Sequence, residues 1–162
     1  MHSAFCEVVA EGRWLPTLRP NGTLDDWISW IRRTHRTREA LLVGEVESEY
    51  SGHLSLQPEE WEASRHVAKL GIIVRQPYRG IGVGKSLMQV AEIVACEKGY
   101  QKIVLSTFSN NVVARHLYES VGYRMVGLRE GHFILEGAYV DEILYEKRLV
   151  IFRGLNKDTG CD

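Results

Sequence analysis

Val74-Arg75-Gln76-Pro77-Tyr78-Arg79-Gly80-Ile81-Gly82-Val83-Gly84-Lys85 joins two segments of different hydrophobic period. Before it, His66 to Val74 carries Leu70, Ile72, Ile73 and Val74 in a nearly continuous apolar run. That pattern predicts a strand buried on both faces, closed off by Pro77. After it, Gly82 to Lys98 sets Leu87, Met88, Ala91, Val94 and Ala95 on one helical stripe, and Gly99 supplies a stop. Glycines at alternate positions leave the turn's backbone bare, so its N–H groups can form a nest for an anion. The helix start behind them adds partial positive charge. Arg79 and Lys85 can add full charges. The chemistry calls for a phosphate or pyrophosphate, and the glycines exceed what a plain strand-to-helix turn requires.

The flanking segments give an α/β pattern around a mixed, largely antiparallel sheet. Phe5 to Ala10 reads as an edge strand. Leu24 to Arg36 reads as a helix, with Asp25 and Asp26 near its start and Arg32, Arg33 and Arg36 near its end. Ala40 to Val46 and Ser51 to Leu56 read as strands joined through Glu49-Tyr50-Ser51-Gly52. Gln57 to Ser64 reads as a polar loop. Ile103 to Ser106 is a further buried strand, expected parallel to the one before the glycine turn. Ser109-Asn110-Asn111 offers a helix N-cap, and Gly122 a stop. Tyr123 to Leu128, Gly131 to Leu135 and Tyr139 to Leu149 read as closing strands. Residues 1–150 are expected to form one domain, and Val150 to Asp162 a frayed tail.

Three phosphate patterns compete for the turn. A Walker loop, Gly-x-x-x-x-Gly-Lys-Ser/Thr, matches Gly84-Lys85-Ser86 but puts Arg79 where its first glycine belongs. A dinucleotide fingerprint, Gly-x-Gly-x-x-Gly, begins at Gly80 and Gly82 but ends on Lys85. Arg-x-x-Gly-x-Gly is matched completely by Arg79, Gly82 and Gly84, and it resembles the coenzyme A motif of the GNAT acetyltransferase superfamily. A second stretch, Asn111-Val112-Val113-Ala114-Arg115-His116-Leu117-Tyr118-Glu119-Ser120-Val121-Gly122-Tyr123, resembles that superfamily's Asn-x-x-Ala-x-x-Leu-Tyr-x-x-x-Gly-Phe/Tyr signature. The likeness covers roughly Val67 to Leu149, and the two motifs stand in the expected order.

The resemblance implies a central twisted, mostly antiparallel sheet with flanking helices and a parallel strand pair splayed around acetyl-CoA. It implies direct transfer of an acetyl group to a primary amine of a small molecule, amino acid or protein N-terminus. Ile72, Ile73 and Val74 would meet the thioester and pantetheine through their backbone. Arg79, Gly80, Ile81, Gly82, Val83, Gly84 and Lys85 would hold the pyrophosphate. Asn111, Ala114 and Tyr118 would join them from the second motif; Asn111 could cap its helix or bond the pantetheine, and Asn110, an equally good cap, would leave it free for the ligand. Tyr118 would protonate the departing thiolate; a phenol of pKa near ~10 holds a proton at neutral pH. The residue-level alternative for Tyr118 is a core aromatic touching Leu117 and Val121.

The amine must lose a proton before it attacks. His66 is the candidate base, thirteen places before the motif arginine, with a surface strand-end histidine as the alternative. Glu45, Glu47 and Glu49 would share a face if extended and could attract a cationic amine, or could form a solvated hairpin. Tyr139 and Asp141 could border the acceptor pocket or simply shape a turn. His116 and His132 read as surface residues. Residues 1–65 and 129–141 are expected to shape the acceptor pocket.

Composition narrows the partners. The chain has 162 residues, 44% apolar and 25% charged, with a formal net charge of -1, which gives no footprint for nucleic acid or an anionic membrane. Cys6, Cys96 and Cys161 make no CxxC or Cys/His pattern, so reduced thiols in a cytoplasmic protein are expected and no metal is implied. Cys96 lies among apolar helix neighbours, a poor setting for a nucleophile. Dimers are common in the superfamily, so a homodimer is open. The competing functions are a non-catalytic acyl-CoA sensor on the same fold and a phosphotransferase using Gly84-Lys85-Ser86.

Overall fold

The computed structural model describes residues 1–17, 19–20, 22–34 and 37–149. The segment read as a frayed tail and Arg36 lie outside the described residues. The elements run α1 (His2–Ala10), α2 (Leu24–Thr34), β1 (Ala40–Val46), β2 (Glu49–Pro58), β3 (Val67–Val74), α3 (Val83–Glu97), β4 (Lys102–Phe108), α4 (Val112–Ser120), β5 (Arg124–Leu135) and β6 (Ala138–Arg148). Six strands form one sheet in the order β1-β2-β3-β4-β6-β5. Every neighbour pair is antiparallel except β3 and β4, which are parallel, as the intervening helix requires.

The core lies between α3 and one sheet face. Leu87, Met88, Ala91 and Ala95 meet Leu54, Leu56, Ala68, Leu70, Ile103 and Leu105 there. Met88 is fully buried, so truncating it to alanine would cost about 2–5 kcal/mol. The opposite face is covered by α1 and α2. His53 points there, between Gly52 and Leu54, and its ring sits 5.9 Å from Trp27 of α2, which in turn touches Phe5 and His2 of α1.

Several local expectations are corrected. Phe5–Ala10 belongs to a helix, because Ala4, Val8 and Val9 share one buried helical face. The first hairpin turns at Glu47 and Ser48, with φ of 51° and 65°, so Val46 faces Glu49 across it. Glu45 and Glu49 therefore sit on different strands, which leaves the solvated hairpin and removes the single acidic face. β2 runs on through Pro58, and Glu62–Ser64 forms a 3-10 turn, where a polar loop was expected. The two predicted strands at 123–135 are one strand, β5, with irregular register between Arg129 and Phe133. Gly131 absorbs that irregularity at φ 54°, and its N–H donates to Asp141 Oδ1 at 2.7 Å.

α1 is also tied to the turn after β3 by paired charges. Glu7 and Glu11 lie one helical turn apart, as do Arg75 and Arg79 in number along the turn. Arg75 Nε donates to Glu7 at 3.0 Å, and both Arg79 Nη atoms donate to Glu11 at 2.7 Å.

Candidate active site

β3 and β4 are hydrogen-bonded only from Val67–Lys69 to Lys102–Val104. Past that point each strand stays paired on its other side, β3 with β2 as far as Val74 and β4 with β6 as far as Phe108. The two strands part like an opened seam. The gap is a cleft of about 950 Å³, walled by β3, the glycine turn, β4, α4 and the loop after α1.

The turn end is made of backbone. Gly80 and Gly82 have φ of 78° and 96°, and a Cβ added at either would meet no atom within 4 Å. The space above them is open to a ligand. Gly84 serves packing instead: a Cβ there would lie 3.0 Å from Leu117 and 3.7 Å from Val74. Ser86 N–H is the first to bond within α3, to Gly82 C=O at 3.0 Å. The N–H groups of Val83, Gly84 and Lys85 therefore have no partner in the helix, and Gly82 supplies no side-chain cap. Free donors, a helix start and an unfilled space fit a phosphate group.

Arg79 corrects an expectation. Its guanidinium lines the cleft but is held by Glu11 and by Val74 C=O at 2.9 Å, over the Trp14 ring at 5.2 Å. The hydrogen bonds from Arg79 keep the Glu11 carboxyl below its ordinary pKa, so the pair is ionic. Arg79 thus fastens the turn to α1 and brings no free charge to a phosphate. Ile81 and Val83 turn their side chains elsewhere: Ile81 is exposed, and Val83 packs toward Gly44. Only their N–H groups can serve the cradle.

The second motif lands on the cleft's other wall. Asn111 is the N-cap of α4, its Oδ1 accepting from Ala114 N–H at 3.1 Å. Of the two candidate caps Asn111 takes the role and Asn110 does not, which leaves Asn111 Nδ2 and one Oδ1 lone pair for a ligand. Ala114 and Tyr118 line the cleft with it. Tyr118 belongs to the core and also lines the cleft, a placement compatible with either reading considered for it. Its ring packs 5.6 Å from Tyr145 in the core, and its hydroxyl makes no hydrogen bond among the described residues. Burial, and then the neighbouring Tyr145, push its pKa above the ordinary phenol range, so it keeps its proton at neutral pH.

His66 is not brought to the site. It is exposed just ahead of β3, at the closed end of the β3–β4 ladder, where its C=O accepts from Gln101 and Lys102. Tyr139 is exposed and Asp141 is engaged with Gly131, so both shape the hairpin. His132 lies 3.4 Å from Glu142, away from the lining. His116, read as a surface residue, is exposed but does line the cleft.

β3 is buried on both faces at its ends, where Val67 and Ile73 are covered, but its second face opens between them. Leu70, Ile72 and Val74 turn toward α3 and α4, while Lys69 and Gly71 are exposed. Residues absent from the sequence reading complete the lining: Trp14, Leu15 and Pro16 after α1, Ser106 and Phe108 on β4, and Phe133 on β5. Lys69 of β3 lines it too, and a lysine inside an apolar strand is the one local signal for any of these residues.

A mixed sheet opened between parallel neighbours, with bare helix-start N–H groups at one end and a protonated phenol along one wall, defines a site for an extended, phosphate-bearing ligand. The chain belongs to the acetyltransferase (GNAT) family, whose model matches residues 7–123. It is similar to an L-amino acid N-acetyltransferase of Escherichia coli, at 28% identity over 102 residues, 62% of each protein. The chain thus spans about three fifths of that relative's length. Its fold is similar to that of an N-acetyltransferase of Staphylococcus aureus (TM-score 0.85, 21% identity, covering 91% of this chain and 90% of that one). It is equally similar to an acetyltransferase of Salmonella typhimurium solved with acetyl-CoA (TM-score 0.85, 18% identity, covering 92% and 86%).

Proposed function

We propose that the chain transfers an acetyl group from acetyl-CoA to a small-molecule primary amine. The observation that carries this reading is the joint lining of one cleft by the bare N–H groups of the glycine turn and the free hydroxyl of Tyr118. The Val83, Gly84 and Lys85 N–H groups would hold the pyrophosphate. The parted length of β3 would offer its backbone to the pantetheine amides and to the thioester oxygen as it gains charge. The neutral amine nitrogen attacks the carbonyl carbon, the C–N bond forms and the C–S bond breaks. Tyr118 hydrogen-bonds the departing thiolate, and the proton it gives up is replaced from solvent, which also takes the amine's proton. Among the described residues no carboxylate lines the cleft, and His116 is its only imidazole, so proton loss to water is the simplest route.

The names of the curated relatives, an L-amino acid N-acetyltransferase and N-acetylaspartate synthetases, support a small acceptor, although one structural neighbour is named a ribosomal-protein-alanine N-acetyltransferase. Membership of the family supports the acyl donor. No helix among the described residues is long and apolar enough to cross a membrane, and Cys6 and Cys96 are free thiols, which fits the cytoplasmic residence proposed here. A homodimer is supported by exposed Met125, Val126 and Leu128 along β5.

Release of free CoA tests the function. The wild type should release it only when an amine is added. Tyr118→Phe removes an unpaired hydroxyl, so it should fold normally, bind CoA within about twofold of wild type and turn over about 100-fold more slowly. Tight CoA binding with no turnover on any amine would instead mark a sensor.

A further inference from the structure

The charges lining the cleft are of one sign. Among the described residues they are Lys69, Arg79 and Lys85, and no aspartate or glutamate joins them. Arg79 is neutralised by Glu11. Lys85 lies in the first turn of α3, beside the N–H groups suited to phosphate. Lys69 is different. It occupies the last rung of the β3–β4 ladder, opposite Val104, at the far end of the parted strand from the turn. Val74 lies five steps further along the strand, roughly 17 Å at 3.3 Å per residue.

Lys69 is exposed and forms no ion pair among the described residues. Its cross-strand neighbours, Gln57 and Val104, are uncharged. Strand alternation puts it on the face of Gly71, opposite Leu70 and Ile72 and so away from α3 and α4. On β4, Leu105 belongs to the α3 core, so Ser106 and Phe108 share the Lys69 face. Phe108 packs edge-on against Phe133 at 4.9 Å. This half of the cleft therefore combines one lone ammonium, one hydroxyl and an aromatic wall. An ammonium that loses water as the cleft fills needs a counter-charge; Glu142 and Glu146 of β6 lie on the same sheet face but are already paired, with Arg129 and with Lys102 and Arg124, and neither lines the cleft.

We propose that the acceptor amine also carries a carboxylate, that Lys69 anchors it, and that the acceptor's uncharged body lies against Phe108 and Phe133. The inference rests on the acetyl-transfer reading and names its substrate class: amino acids with uncharged side chains, not polyamines or lysine-rich peptides. A second cation on the acceptor would meet Lys69 without a carboxylate to receive it.

Paired acceptors test this. CoA release is measured with L-leucine and L-leucinamide, L-phenylalanine and L-phenylalaninamide, and spermidine, using wild type, Lys69→Met and Lys69→Arg. Lys69→Met should lower kcat/KM for each amino acid about tenfold, mainly through KM, and leave the amides unchanged. The change in the acid-to-amide ratio between proteins cancels the differing basicity of the two amines. Lys69→Arg should restore most of the preference, and the CoA dissociation constant should stay within twofold in all three proteins. An acid-to-amide ratio unmoved by Lys69→Met, or spermidine as the best acceptor, overturns the carboxylate anchor while leaving acetyl transfer standing. CoA binding without turnover on any acceptor overturns both.

Discussion

At the turn end of the cleft a ligand would meet backbone N–H groups of three consecutive residues, Val83, Gly84 and Lys85. At the Lys69 end it would meet side chains from separate stretches: Lys69, Ser106 and Phe108, Phe133, and the Trp14–Pro16 loop. The first wall depends on what the residues lack, since a Cβ at Gly82 would enter the ligand's space. The second depends on what they carry. A wall of backbone can recognise a phosphate but cannot vary without breaking. A wall of side chains on a fixed scaffold can change its ligand by substitution.

The largest effect should come from putting a side chain into the backbone wall. Gly82→Asp places a carboxylate in the open space above φ 96° and facing the phosphates. CoA affinity by calorimetry should fall by more than about 100-fold, about 3 kcal/mol. A variant that folds and binds CoA within threefold of wild type would remove the distinction between the walls.

Acid should act on the packing beneath α1 and α2, outside the cleft lining but under the helix that carries the Trp14–Pro16 loop. His53 lies under α1 and α2, and burial lowers its pKa to about 4; Tyr50 Oη lies 2.5 Å from its Nδ1. The unfolded chain takes up a proton at the ordinary histidine value while the folded one does not. His53 therefore lends full stability above about pH 6.5, and loses it as pH falls toward about 4. At pH 5 the loss from this residue should be about 2 kcal/mol relative to pH 7.5. Urea unfolding at both pH values should show that difference between wild type and His53→Asn, and NMR titration should find the imidazole neutral at pH 5. Equal losses in both proteins, or an imidazole titrating near 6.5, would detach His53 from the acid response.

The smallest effect sharpens how the walls communicate. Glu11→Gln loosens the Arg79 tie that holds the Trp14–Pro16 loop beside the turn. A part-buried ion pair of this kind is worth about 1 kcal/mol. Acceptor KM should rise about fivefold, with the CoA dissociation constant within twofold. An unchanged acceptor KM would make the pair a tether of α1 alone.

The sequence carried the backbone wall openly because its parts are local. Glycine spacing, the strand-to-helix switch and the Asn111–Tyr123 motif lie within single stretches, and all three reached the cleft. The role of Arg79 was hidden, because its partner Glu11 is 68 residues away and lies just past a segment read as a strand. Val8 and Val9 favour that strand reading locally, and only the sheet beneath them makes a helix the better burial. Asn110 and Asn111 are equally good caps by type, and the φ/ψ of the turn chose between them. Phe133 and Trp14 meet the cleft through topology alone. Lys69 was visible as an oddity, a charge inside an apolar run.

The three-residue ladder between β3 and β4 has a consequence for the protein's life before it meets a ligand. The parted length of β3 is an unpaired strand border lying inside the molecule, and such borders are hazards for self-association. Here the α1 loop and α4 guard it, so only something as thin as a single extended chain can pair with it. A pantetheine arm, with its amides, would be a surrogate strand. A ligand that paired there would also complete the sheet, so by mass action its supply during synthesis would bear on how much of the chain stays folded.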